Sequence, residues 1–120
     1  MQLTLAKPRR PEIEPVATAA LVDTRSVYLI VSETVRRQLQ LDEQGKKEVT
    51  LADGSRRQAP DVGPIEPRFK NRVAYVGAIV MGDEVLLGAI PMKDMDLVLP
   101  QQRLADVNPE SPNIASAKAK

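Results

Sequence analysis

Ala19-Ala20-Leu21-Val22-Asp23-Thr24-Arg25-Ser26-Val27-Tyr28-Leu29-Ile30-Val31 is the most apolar stretch of the chain, and it holds a single aspartate. Val16 to Val22 is a small-residue apolar run of strand length, read as buried on both faces, and Tyr28 to Val31 is a second buried strand. Between them one aspartate stands among apolar neighbours. An ionised carboxylate so placed loses hydration and must be paired, hydrogen-bonded or protonated. Two readings follow. Asp23 is an acid held at the end of a buried strand for chemistry, with the Thr24 hydroxyl beside it, or it closes the turn 23–26 by accepting backbone N–H groups.

Outward from this turn, Ser32 caps a short helix to about Gln40, with Glu33 in its first turn and Val35 and Leu39 on one face. Glu48-Val49-Thr50-Leu51 runs into Asp53-Gly54, a two-residue hairpin turn, and returns through Ser55 to Ala59. The return arm carries Arg56, Arg57 and Gln58, so this hairpin projects into solvent. Ile65 to Phe69 and Val73 to Met81 flank Lys70-Asn71 as another hairpin, and Gly82-Asp83 turns the chain into Val85 to Gly88. Pro91 to Met95 makes one helical turn before strands at Leu97 to Leu99 and near Arg103 to Val107. Gln2 to Leu5 alternates as a short edge strand, ended by Lys7-Pro8-Arg9-Arg10-Pro11. Residues 1–15 are thus an N-terminal strand and linker, 16–107 one domain, and 108–120 a disordered tail. The fold class is mainly β, a small closed or partly open barrel with one short helix.

Composition narrows the chemistry. With 120 residues the chain makes one domain with a modest core. Tyr28, Tyr75 and Phe69 are its only aromatic residues, so aliphatic side chains and Met build that core. Cysteine is absent, which excludes disulfides, thiolate nucleophiles and zinc–sulfur sites and suits a reducing compartment. Histidine is absent as well, which removes the usual base of Ser/His/Asp and Cys/His catalysis and the commonest transition-metal ligand. Carboxylates, amines and hydroxyls remain. Asp53, Asp83, Asp94 and Asp96 fall in turns or beside the short helical turn, so no metal and no cofactor is expected from them.

The formal net charge is +1, too small a field to imply nucleic acid. Arg9-Arg10, Arg36-Arg37, Arg56-Arg57 and Arg68-Lys70-Arg72 are scattered, interleaved with acids and short of aromatics for base stacking. No apolar run approaches the roughly 20 residues of a spanning helix, and no signal-type segment follows Lys7, Arg9 and Arg10. The expectation is a cytoplasmic protein without membrane or nucleic-acid partners.

Several blocks, in order, resemble the retropepsin-like aspartic peptidases, in particular the small bacterial members of clan AA, the retroviral-type acid proteases. Ala20-Leu21-Val22-Asp23-Thr24 looks like that family's strand into its catalytic Asp-Thr/Ser-Gly turn. Glu48-Val49-Thr50-Leu51-Ala52-Asp53-Gly54 is similar to its substrate-covering hairpin. Glu84-Val85-Leu86-Leu87-Gly88-Ala89-Ile90-Pro91 resembles its second elbow and following helix, and Asp94-Met95-Asp96-Leu97-Val98 its closing strand. The resemblance covers about Val16 to Val107. It implies an endopeptidase acting on peptide or protein substrates through two aspartates, one from each chain of a homodimer. Asp23 would be the catalytic carboxylate, Thr24 the brace between the two turns, and Ala52, Asp53, Gly54, Leu87 and Gly88 the substrate-binding positions.

One residue departs from the pattern: Arg25 stands where the family has glycine. The resemblance implies that glycine lets the two turns and the substrate backbone approach closely. A guanidinium paired with Asp23 would favour the ionised carboxylate and oppose a shared proton, whereas one turned to solvent would leave Asp23 untouched. The alternative function is a non-catalytic module of the same fold that binds peptides or a partner.

Overall fold

The computed structural model describes residues 1–51, 53–98 and the backbone of 106–107. Along the chain run β1 (Gln2–Ala6), β2 (Val16–Val22), β3 (Leu29–Val31), α1 (Glu33–Gln38), β4 (Glu43–Thr50) and β5 (Arg56–Phe69). They are followed by β6 (Arg72–Val73), β7 (Val76–Val80), β8 (Val85–Leu87), α2 (Ala89–Asp94), β9 (Leu97–Val98) and β10 (Asp106–Val107). Pairing in the order β1-β2-β8-β3-β7-β5, with β5 returning to β1, closes a six-stranded barrel. The β4–β5 hairpin extends from it, and β9 and β10 pair separately.

The strand order sets the site. β2 runs parallel to β8, and β3 lies on β8's other side, antiparallel to it. The chain leaving β2 must therefore pass over the end of β8 to reach β3, and turn 23–26 makes that crossing. The return path is similar: β7 runs parallel to β3, and the chain crosses β3's end to enter β8, with the Met81 N–H donating to the Val31 carbonyl at 3.0 Å. Leu29, Val31, Val62, Ile65 and Leu87 are fully buried inside the barrel, and each such side chain contributes about 1.5–3 kcal/mol.

The structure departs from the sequence expectations at several elements. The Gln2 segment is not an edge: β1 pairs with β2 on one side and β5 on the other, which closes the barrel. β2 is buried on one face only, since Ala20 is covered while Leu21 is 54% exposed. β5 runs unbroken from Arg56 to Phe69 through Pro60, Pro64 and Pro67, with a register shift between Val62 and Ile65 that accommodates Pro64. The segment from Val73 to Met81 splits into β6 and β7 around Ala74 and Tyr75. A second helix, α2, starts at Ala89 with Gly88 as its N-cap, two residues before the expected turn.

The first helix follows its signals. Ser32 Oγ accepts the Val35 N–H at 3.2 Å, and Glu33 binds Arg36 and Arg37 within the helix. The tail and the expected strand residues Leu99 and 103–105 lie outside the described residues.

Candidate active site

Asp23 follows Val22 directly, where β2 ends beside Leu87 of β8. The Asp23 N–H donates to the Leu87 carbonyl at 3.2 Å, and the Ser26 N–H closes the turn onto the Asp23 carbonyl at 3.0 Å. The elbow after β8 holds the crossing chain from below. Ala89 N–H donates to Ser26 O at 2.8 Å, and Ile90 N–H to Val27 O at 2.9 Å. This contact demands glycine at 88: a Cβ there would lie 2.4 Å from Tyr28 O, 2.7 Å from Ser26 O and 2.8 Å from the Val27 carbonyl carbon.

Among the described residues, the Asp23 carboxylate is engaged by Arg25 alone. Its Oδ1 accepts the Arg25 backbone N–H at 3.0 Å and the guanidinium Nε at 3.1 Å, and Oδ2 accepts Nη2 at 3.4 Å. The guanidinium, and then the backbone N–H, hold the Asp23 carboxyl below its usual value of 3.8. Arg25 is raised in turn by Asp23. The Asp23 side chain is one-third exposed and that of Arg25 91% exposed, so the pair is wet and screened by salt. Asp23 thus closes its own turn through Oδ1, while Oδ2 accepts from the exposed guanidinium. Thr24 is exposed, and its hydroxyl has no partner among the described residues.

An apolar floor lies on the same face. Leu86 is in register with Leu21 on one side and Ile30 on the other, and Ile30 is in register with Ile79. Register partners share a face, and alternation carries Asp23, two residues past Leu21, to that side. Ile30, Ile79 and Ala59 form a buried cluster against which Tyr28, Val49, Met81 and Leu86 pack. Val49 and Ala59 come from the β4–β5 hairpin, so the hairpin leans over this floor. Lys47 Nζ sits 4.8 Å from the centroid of the Tyr28 ring, a second tie between hairpin and floor.

The hairpin tip is wider than two residues. Leu51 N–H donates to Ser55 O at 2.8 Å, Gly54 N–H donates to Leu51 O at 2.9 Å, and Gly54 takes φ +86°, which glycine adopts without strain. Asp53 Oδ1 accepts the Ser55 N–H at 2.9 Å and Oγ–H at 2.6 Å, and these bonds, the hydroxyl's first, lower its pKa. Asp53 is thus occupied in shaping the tip. Ala52 lies outside the described residues.

Leu87 and Gly88 stand behind the site. Leu87 is fully buried in the barrel core, and Gly88 touches the backbone of the crossing chain. The neighbour that faces the floor is Leu86. In Leu86-Leu87 both residues read as core, and only the pairing with Leu21 and Ile30 distinguishes their faces. Tyr28, Ile30, Val49 and Met81 were also missed as floor residues, because their signal is spread over three separate segments.

Elsewhere, Glu12, Glu33, Glu48 and Glu66 form ion pairs with members of the basic clusters, Arg10, Arg36, Arg37, Arg56 and Arg68. Among the described residues no group of three or more Asp or Glu side chains is placed to hold a metal ion, and no helix is long and apolar enough to cross a membrane.

The architecture is similar to that of the solution structure of the simian foamy virus (mac) protease. The TM-score is 0.52 at 12% sequence identity, covering 78% of this chain and 92% of that one. The chain has a retropepsin-like fold. No protein-family model and no curated protein matches the chain. At that identity the likeness is one of architecture, and the chemistry must be argued from the residues.

Proposed function

We propose that the protein is a retropepsin-type aspartic endopeptidase, working as a homodimer in which each chain contributes Asp23. The observation that carries this reading is the position of Asp23: a carboxylate at the end of β2, whose neighbour Leu86 belongs to an apolar cluster on which the β4–β5 hairpin packs. One aspartate turn per chain supplies half of a dyad, and a two-fold axis through the turns supplies the rest. Leu21, Val27 and Ile90, around that turn, are 54%, 49% and 46% exposed, an apolar surface suited to cover by a second copy.

The chemistry follows from two carboxyl groups held close, which share one proton. The ionised aspartate takes a proton from water as the oxygen attacks the peptide carbonyl carbon. The protonated aspartate donates to the carbonyl oxygen. The tetrahedral intermediate then collapses, the C–N bond breaks and the amine leaves with a proton from the dyad. Thr24 braces the paired turns, and Ala52, Asp53 and Gly54 close over the substrate backbone. Leu87 and Gly88 fix the turn from behind. Arg25 works against this cycle, because its bonds favour the charged carboxylate, so turnover requires the exposed guanidinium to swing away. The functional unit is residues 16–107 together with β1, and the cysteine-free sequence suits the cytoplasm.

A second reading is favoured by the Asp23–Arg25 pair itself: a binding module in which the carboxylate only shapes the turn. A peptide library assayed near pH 5 and pH 7 separates the two. The peptidase reading expects pepstatin-sensitive cleavage by wild type, its loss in Asp23→Asn, and dimers on sedimentation at high concentration. Cleavage that persists in Asp23→Asn refutes it.

A further inference from the structure

The two faces of the β4–β5 hairpin treat their charges differently. On the outward face Lys46 pairs with Glu43 at 3.7 Å and Arg56 with Glu48 at 3.5 Å. On the inward face lie Lys47 and Val49, in register with Ala59 and Arg57 respectively. Val49 and Ala59 pack on the floor cluster, which fixes this face as the one turned to the site. Lys47 meets only the Tyr28 ring, and neither Lys47 nor Arg57 forms an ion pair with any described residue. Asp61 is the β5 carboxylate nearest Arg57 on this face by register, and Glu66, further along, is paired with Arg68. Asp61 lies against Gly77, where its Oδ1 would be 3.2 Å from an added Cβ, and roughly 13 Å of strand separates it from Arg57. Below, the Arg25 guanidinium pairs with Asp23 and with no other described residue.

We propose that the hairpin's inward face and the floor beside it form a peptide-binding cleft that selects peptides carrying acidic side chains beside an apolar one, with Lys47 and Arg57 as the residues that determine the preference. The apolar side chain covers the partly exposed Leu86 and Val49, while a carboxylate to either side meets a cation that no described residue neutralises. Charge complementarity of this kind sets specificity and encounter rate. The proposal rests on peptide binding in the cleft, which both functional readings share, and not on hydrolysis.

The test is fluorescence anisotropy with three labelled peptides of one apolar-centred sequence, flanked by Glu, by Gln or by Lys. Each exposed ion pair contributes up to about fivefold, so two are expected to give about tenfold tighter binding of the Glu peptide. That preference should fall to about twofold in Lys47→Gln/Arg57→Gln and shrink at about 0.5 M salt. Arg57→Glu, a single change on an exposed strand face, should turn the preference toward a Lys-flanked peptide. Equal affinity for the Glu and Gln peptides, or binding of neither, overturns the proposal. Tight, charge-dependent binding without cleavage supports it and counts only against the peptidase reading.

Discussion

Replacing Gly88 with alanine adds a single methyl group, and the structure says what that group meets. It would sit 2.4, 2.7 and 2.8 Å from three backbone atoms of residues 26–28, none of which can swing aside as a side-chain end does. The elbow must then retreat from the crossing chain, weakening the bonds from Ala89 N–H to Ser26 O and Ile90 N–H to Val27 O. Overpacking of this kind costs about 1–3 kcal/mol, and each weakened hydrogen bond adds about 0.5–1.5 kcal/mol. The sum is about 2–6 kcal/mol, a large part of the roughly 5–15 kcal/mol that holds a domain folded. With a urea m-value of about 1–3 kcal/mol/M, the midpoint should fall by about 1–3 M or the protein should fail to fold. Gly77→Ala is the internal control, since its Cβ would approach an Asp61 side-chain oxygen at 3.2 Å and one carbonyl at 3.5 Å. It should cost less than about 1 kcal/mol. Equal midpoints for the two variants in urea denaturation would refute the claim that Gly88 lets the chain pass over β8.

Further outcomes follow from other contacts. Leu87→Ala should destabilise by about 2–5 kcal/mol in the same assay, whereas Leu86→Ala should cost clearly less and weaken peptide binding instead. Ser32→Ala removes the acceptor of the Val35 N–H and should cost about 1 kcal/mol, read from the same urea midpoint. Arg36, with Arg37, holds Glu33 down to about 2 from its usual 4.5, so its stabilisation is complete above about 4.5 and disappears as pH falls toward 2. Asp23, lowered by Arg25, loses its contribution as pH falls from its usual 3.8 through the folded value. Thermal melts across that range should therefore show wild type losing more stability on acidification than either Glu33→Gln or Arg25→Gly.

Local chemistry was legible in the sequence where the cause is local. Ser32 capping a helix, Asp53-Gly54 shaping a hairpin tip and Asp23 ending a strand each depend on neighbours a few residues away. Pairing was not. Thr4 pairs with Arg68 on the neighbouring β5, and nothing in Gln2 to Leu5 encodes a partner so distant in sequence, so a closing strand read as an edge. Prolines at 60, 64 and 67 are local stop signals that a register shift and long-range pairing override in β5. The site divides the same way. Asp23, Thr24 and Arg25 were found as a motif, but Arg25 turning back onto its own turn is settled by geometry. Leu86 belonging to the floor, and Leu87 to the core, follows from the order β2-β8-β3.

The most direct test of the central claim is peptide cleavage by wild type, Arg25→Gly and Arg25→Gly/Asp23→Asn at matched concentrations. Removing the guanidinium should free Asp23 to share a proton and let the turns approach. Arg25→Gly should then cleave at least roughly tenfold faster than wild type, with pepstatin blocking it and the Asp23→Asn change abolishing it. Equal rates in wild type and Arg25→Gly would contradict the role given to Arg25, and no cleavage by either would contradict the peptidase itself.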